Sequence, residues 1–126
     1  MALKDEMCSA IEGYFMNAPS DWNTVTADRL KQELAVHGRI LVLDVREPDE
    51  FASGHIAGAV NVPVRQLPAR VKELPQDKSL KIVAYCASGV RSAYATMFLR
   101  VYGFGDVRTL DRGIRGWVGE GYEIVR

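Results

Sequence analysis

The chain has 126 residues, 48% of them hydrophobic and 25% charged, and its 16 Lys plus Arg are balanced by 16 Asp plus Glu. That is the make-up of one small globular domain. With no net charge and no apolar run near the ~20 residues of a membrane span, neither a nucleic acid nor a membrane is expected as a partner. The two cysteines, Cys8 and Cys86, do not make a disulfide framework, and the acid-bearing start Met1-Ala2-Leu3-Lys4-Asp5-Glu6 is unlike a secretory leader. Both features lead to the expectation of a reducing, cytoplasmic setting.

Leu3, Met7, Ile11, Tyr14 and Phe15 recur at helical spacing until Pro19 breaks the pattern. Residues 1–20 therefore read as an N-terminal helical extension, and residues 21–126 as the domain proper. The extension's apolar stripe suits either capping of the domain or a homodimer through the N-terminal helix. Thr24-Val25 reads as a short edge strand. Thr26 is a good N-cap for a helix over Ala27 to Val36, with Leu30 and Leu34 on one face and His37-Gly38 as its stop. Ile40 to Val45 is an apolar, β-branched run, the pattern of a parallel strand covered on both faces. Glu47 to Phe51 starts a short helix, with Pro48 tolerated in its first turn. Ala59 to Val62 is a strand stopped by Pro63, Leu67 to Leu74 a short helix, and Lys81 to Tyr85 a core strand. Val90 to Tyr102 predicts a helix with an apolar stripe of Val90, Tyr94, Met97, Phe98 and Val101, ended by Gly103. Asp106 to Leu110 is a further strand and Ile114 to Val118 a last short helix. This alternation defines an α/β fold, a sandwich of helices around a central, mostly parallel sheet.

Cys86 stands where the strand Lys81 to Tyr85 gives way to a helix. Ligands of such sheets bind at the carboxyl ends of the strands. A thiol there meets unpaired N–H groups and the positive end of a helix dipole, which favour the thiolate, the nucleophilic form. Small residues at Ala87, Ser88 and Gly89, followed by Val90, let backbone N–H groups converge into an anion-binding nest. Arg91 adds a charge that does not titrate away. The expected site is thus Cys86 as nucleophile, with Ala87, Ser88, Gly89, Val90 and Arg91 cradling an anionic group bonded to its sulfur.

Several segments together give the chain a family likeness. Asp44-Val45-Arg46-Glu47, Glu50-Phe51 and Gly54-His55-Ile56-Ala57-Gly58-Ala59 come first. The loop from Tyr85-Cys86 to Arg91-Ser92-Ala93 follows, and Gly113-Ile114-Arg115-Gly116-Trp117 closes the series. The chain resembles the rhodanese-like sulfurtransferases over residues 22 to 126, with Arg112 standing where the family's closing motif has its first Gly. The resemblance implies a rhodanese-like three-layer sandwich. It also implies covalent sulfur transfer: Cys86 takes a sulfane sulfur from thiosulfate or a persulfide and passes it to cyanide, a thiol or a protein acceptor. No metal or organic cofactor is implied. The related phosphatases use Cys-x5-Arg, whereas this chain has Cys-x4-Arg, a shorter ring that ranks sulfur transfer above phosphate hydrolysis; a phosphatase or arsenate reductase is the alternative among enzymes. A non-catalytic binding or regulatory module on the same fold is the alternative outside enzymes. Ala87 replaces a basic residue frequent in the family, which lowers the expected attraction for dianionic thiosulfate and favours a persulfide or polysulfide donor.

Other chemically able residues have plainer readings. Ser88 and Ser92 suit helix caps, and either hydroxyl also suits contact with bound sulfur, with Ser92 as a supporting residue. Asp44 and Arg46 read as supporting residues: Arg46 suits a place beside the anion site, but the resemblance favours a structural ion pair of the two that fixes loops. His55 reads as a hydrogen-bonded turn residue rather than a general base, and Trp117 as packing. Cys8 reads as an ordinary thiol on the N-terminal helix, and Arg108, Arg112 and Arg115 as surface charges.

Overall fold

The computed structural model describes residues 2–36 and 38–126. In chain order the elements are α1 (Ala2–Asn17), β1 (Thr24–Val25), α2 (Ala27–Val36), β2 (Ile40–Asp44), α3 (Pro48–Ser53) and β3 (Val60–Asn61). These are followed by α4 (Leu67–Arg70), β4 (Lys81–Tyr85), α5 (Val90–Tyr102), β5 (Asp106–Leu110) and α6 (Gly113–Gly119). The five strands form one all-parallel sheet in the order β1-β5-β4-β2-β3. β4 is the middle strand, so the loop leaving it is flanked by the carboxyl ends of β2 and β5.

Side-chain alternation along the strands builds a core on each face. Ile82, Ala84 and Cys86 point to one face, with Leu43, Leu67, Ala95, Leu99 and Val107. Val83 and Tyr85 point to the other, with Val25, Leu30, Val42, Leu110 and Trp117. The outcome is the three-layer sandwich expected from the alternation of elements, with the sheet wholly parallel. Thr26 Oγ1 accepts from the Arg29 N–H at 3.1 Å, capping α2 as expected. The expected stop of that helix at His37 lies outside the described residues.

Two elements differ from their sequence patterns. The single helix expected over Leu67 to Leu74 is a four-residue α4 between 3₁₀ turns at Val64–Gln66 and Val71–Glu73. Pro68 carries no N–H to continue a hydrogen-bond ladder from before it, and Pro75 blocks extension beyond. α5 is rotated relative to its apolar stripe. It buries Ser92, Ala95, Thr96 and Leu99, whereas Val90 and Tyr94 are 65% and 64% exposed. Small side chains let the helix lie close to the sheet, and that approach outweighs the larger apolar groups. Phe98 is half-buried against the core on that face of the sheet, and Val101 is half-buried beside Ala10, Gly13 and Tyr14 of α1, which packs along α5. Met7, Phe15 and Met16 of α1 are exposed. No helix among the described residues is long and apolar enough to cross a membrane.

Candidate active site

The loop after β4 folds back over the Cys86 sulfur. The Gly89 N–H donates to Cys86 Sγ at 3.2 Å. Gly89 takes φ of 110°, a left-handed conformation open to glycine at little cost, and it is the N-cap of α5. The first turn of α5 brings Ser92 under the sulfur, with Oγ 3.7 Å from Cys86 Sγ. Cys86 is buried, at 1% exposure. Burial alone pushes its thiol pKa up, but the N–H and hydroxyl of Ser92 and the N–H groups of Gly89 and Ser88 outweigh it, and the net direction is down. The polar groups that face the sulfur are hydrogen-bond donors of the loop rather than open water.

The outside of the loop is held by α6. The Ile114 and Arg115 N–H groups donate to the carbonyl oxygens of Cys86 and Ala87 at 2.9 and 3.2 Å. Gly113, at φ of 56°, permits this contact, because a Cβ there would collide with both carbonyl oxygens. With its carbonyls drawn outward to α6, the loop is left with N–H groups facing the sulfur. Arg112 itself adopts φ of 63°, a left-handed conformation at the position where the resemblance predicts glycine.

Arg91 reaches across to α3. Its two terminal nitrogens bond the Glu50 carboxylate at 2.7 and 3.1 Å. Glu50 also accepts from the Glu47 N–H at 3.0 Å, which anchors it to the start of α3. The Arg91 hydrogen bond holds the Glu50 pKa at about 2 against the opposing effect of burial, with the Glu47 N–H helping. Glu50, and then the Cys86 sulfur, in turn raise the Arg91 pKa. One guanidinium is therefore shared between a carboxylate and the neighbourhood of the thiolate, and a lone-cation reading of Arg91 omits half of its environment. The pairing spans 41 residues, and no local signal in the sequence announces it.

Asp44 and Arg46 form a second, deeper pair. Arg46 donates to both Asp44 oxygens, with its closest nitrogen at 2.7 Å, and to the Gly54 carbonyl oxygen at 2.7 Å. The Asn61 amide donates to the carbonyls of Asp44 and Arg46, clamping the same turn. The pair braces the β2–α3 connection and, through it, the platform on which Glu50 stands. His55 stacks flat on Phe51, with Nδ1 2.9 Å from the Phe51 carbonyl oxygen. Trp117 is buried and its indole N–H donates to the Glu123 carbonyl. Arg108 is bound to Glu33 through two nitrogens. Cys8 is exposed on α1, and neither cysteine is in a disulfide. No cluster of three or more His, Cys, Asp or Glu among the described residues is arranged to hold a metal ion.

The fold and site define an α/β domain with a buried cysteine at the end of a central parallel strand, contacted by a backbone N–H and flanked by a carboxylate-held arginine. The rhodanese-like domain model matches residues 26–120, and the chain belongs to that family. A sulfurtransferase of Allochromatium vinosum is 38% identical over 103 residues, covering 82% of this chain and 94% of the relative. The crystal structure of a rhodanese-related protein from Thermoplasma volcanium is 36% identical, with a TM-score of 0.74 over 82% of this chain and 98% of that one. The human single-domain sulfurtransferase TSTD1 is 29% identical, with a TM-score of 0.72 over 78% of this chain and 96% of that one. Further relatives are longer, and the chain spans 51% to 61% of their length.

Proposed function

We propose that the protein is a sulfurtransferase that carries a sulfane sulfur as a persulfide on Cys86. In the first half-reaction the Cys86 thiolate attacks the outer sulfur of the donor. A sulfur–sulfur bond forms to Cys86, and the donor's own sulfur–sulfur bond breaks. Its electron pair leaves on sulfite if the donor is thiosulfate, or on a thiolate if it is a persulfide. In the second half-reaction a nucleophilic acceptor, cyanide or a thiolate of a small molecule or protein, attacks the outer sulfur and Cys86 leaves as thiolate. The N–H groups of Ser88, Gly89 and Ser92 serve both the thiolate and the terminal sulfur that replaces it. The observation that carries this reading is the cradle around the buried Cys86 sulfur, which accepts the Gly89 N–H at 3.2 Å and lies 3.7 Å from Ser92 Oγ. Membership of a family with named sulfurtransferases supports it.

The charges around the loop favour a monoanionic donor. Ala87 adds none, and Arg91 is already engaged by Glu50. A persulfide therefore loses less than dianionic thiosulfate from the missing positive charge. A working thiolate needs a reducing compartment, which supports the cytoplasm as the place of action. The test is to incubate the protein with thiosulfate and, separately, with a low-molecular-weight persulfide, and to follow intact mass. The expected result is one added sulfur per chain, more readily from the persulfide, and none in Cys86→Ser. No gain from either donor, or a gain retained in Cys86→Ser, overturns the reading.

A further inference from the structure

Ser92 Oγ lies 2.5 Å from Thr109 Oγ1, 3.2 Å from the Gly89 carbonyl oxygen and 3.7 Å from Cys86 Sγ. Ser92 and Thr109 are buried, at 0% and 6% exposure. A serine hydroxyl has one proton and two lone pairs, so it serves these three neighbours in only some combinations. When Cys86 is a thiol, its S–H donates to Ser92, and the Ser92 proton goes to Thr109 or to the Gly89 carbonyl. When Cys86 is ionised, the sulfur is purely an acceptor and needs that proton. Ser92 then turns away from the other two, and its oxygen needs a donor to replace the one it has lost. Thr109 is that donor, with its hydroxyl at short range and no other side-chain or backbone partner among the described hydrogen bonds.

The position of Thr109 is set by the sheet. Its N–H donates to the Asn23 carbonyl oxygen at 2.8 Å, and it is in register with Thr24 of β1 and Ala84 of β4. The hydroxyl is thus presented to α5 from a clamped strand. We propose that Thr109 is a positioning residue for Cys86, whose hydroxyl donates to Ser92 and directs the Ser92 proton onto the sulfur anion. This rests on the reading of Cys86 as the reactive thiolate, and it extends the site from the loop to the neighbouring strand. The other charged and titratable groups around the loop are Arg91 with Glu50, the Asp44–Arg46 pair with Tyr85, and Asp111, Arg112 and Arg115 at the β5–α6 junction. A change at Thr109 removes none of them.

The experiment is the pH dependence of Cys86 alkylation by iodoacetamide, followed by intact mass in a Cys8→Ala background. Thr109→Val, nearly the same shape without the hydroxyl, is expected to raise the half-point by about 0.5–1 pH unit. Thr109→Ser, which keeps the hydroxyl, restores it. In a Ser92→Ala background Thr109→Val produces no further shift, because the chain of donors is already cut. Thr109→Ala is run in parallel, so that failure of one hydroxyl-free variant to fold leaves the other. A Thr109→Val profile that superimposes on the parent overturns the proposal. So does a Thr109→Ser shift as large as that of Thr109→Val, or a full Thr109→Val shift without Ser92. Iodoacetamide reads the thiolate without any sulfur donor, so a failure of the protein to carry sulfur leaves this result standing.

Discussion

Two arginine–carboxylate pairs flank the Cys86 loop, and they are built for different tasks. The Asp44–Arg46 side chains are 0% and 7% exposed, lie two residues apart in sequence, and are fixed further by Gly54 and Asn61. The Glu50–Arg91 side chains are 33% and 35% exposed and join α3 to the start of α5 across the mouth of the site. A buried charge without its partner is costly, whereas a half-exposed pair is screened and contributes little to stability. The first pair therefore sets where the walls stand. The second, sharing its guanidinium with the sulfur, sets how much positive charge reaches the chemistry.

The largest effect that would separate the two comes from Asp44→Ala. It strands Arg46 in the interior and should lower unfolding stability by about 3–5 kcal/mol, read from the urea midpoint. A loss below about 1 kcal/mol would put the two pairs in one class. Next in size is Ala87→Arg. It restores a charge beside the sulfur and should raise kcat/KM for thiosulfate by about tenfold, with a smaller change for a persulfide. Equal gains for both donors would contradict the account of donor charge.

Glu50→Gln is the converse of Asp44→Ala. Its stability cost should stay below about 1 kcal/mol. Yet the half-point of Cys86 alkylation should fall, because a negative charge has left the arginine that faces the thiolate. An unchanged half-point would mean that Glu50 only braces the loop. The smallest effect is the acid dependence of this pair. The folded-state Glu50 pKa of about 2 lies below the ordinary glutamate value of 4.5, so its contribution is present in full above 4.5 and is lost as pH falls toward 2. The stability difference between the parent and Glu50→Gln should close over that window. A difference that persists at pH 2 would show that the carboxylate charge is not its source.

How much of this was legible in the sequence follows the range of each interaction. The strands Lys81–Tyr85 and Asp106–Leu110 match the segments read as strands residue for residue, and Cys86 stands at the strand end. Asp44–Arg46 is local, and its reading as a loop-fixing ion pair agrees with the geometry. Glu50–Arg91 and Ser92–Thr109 are 41 and 17 residues apart, and no periodicity encodes which distant side chain a folded loop will meet. The face that α5 buries departs from its apolar stripe for a related reason. The stripe of Val90, Tyr94 and Phe98 is the more hydrophobic, but close approach to the sheet selects Ser92, Ala95 and Thr96. Ser92 is thereby turned inward to the sulfur.

The central claim is that the loop holds Cys86 as a thiolate able to carry one sulfur. The most direct measurement is a single turnover. Load the protein with a persulfide donor, remove the donor, add cyanide and quantify thiocyanate. The account predicts about one thiocyanate per chain from the parent protein and none from Cys86→Ser. A parent protein that releases none, or a Cys86→Ser variant that releases as much, would contradict it.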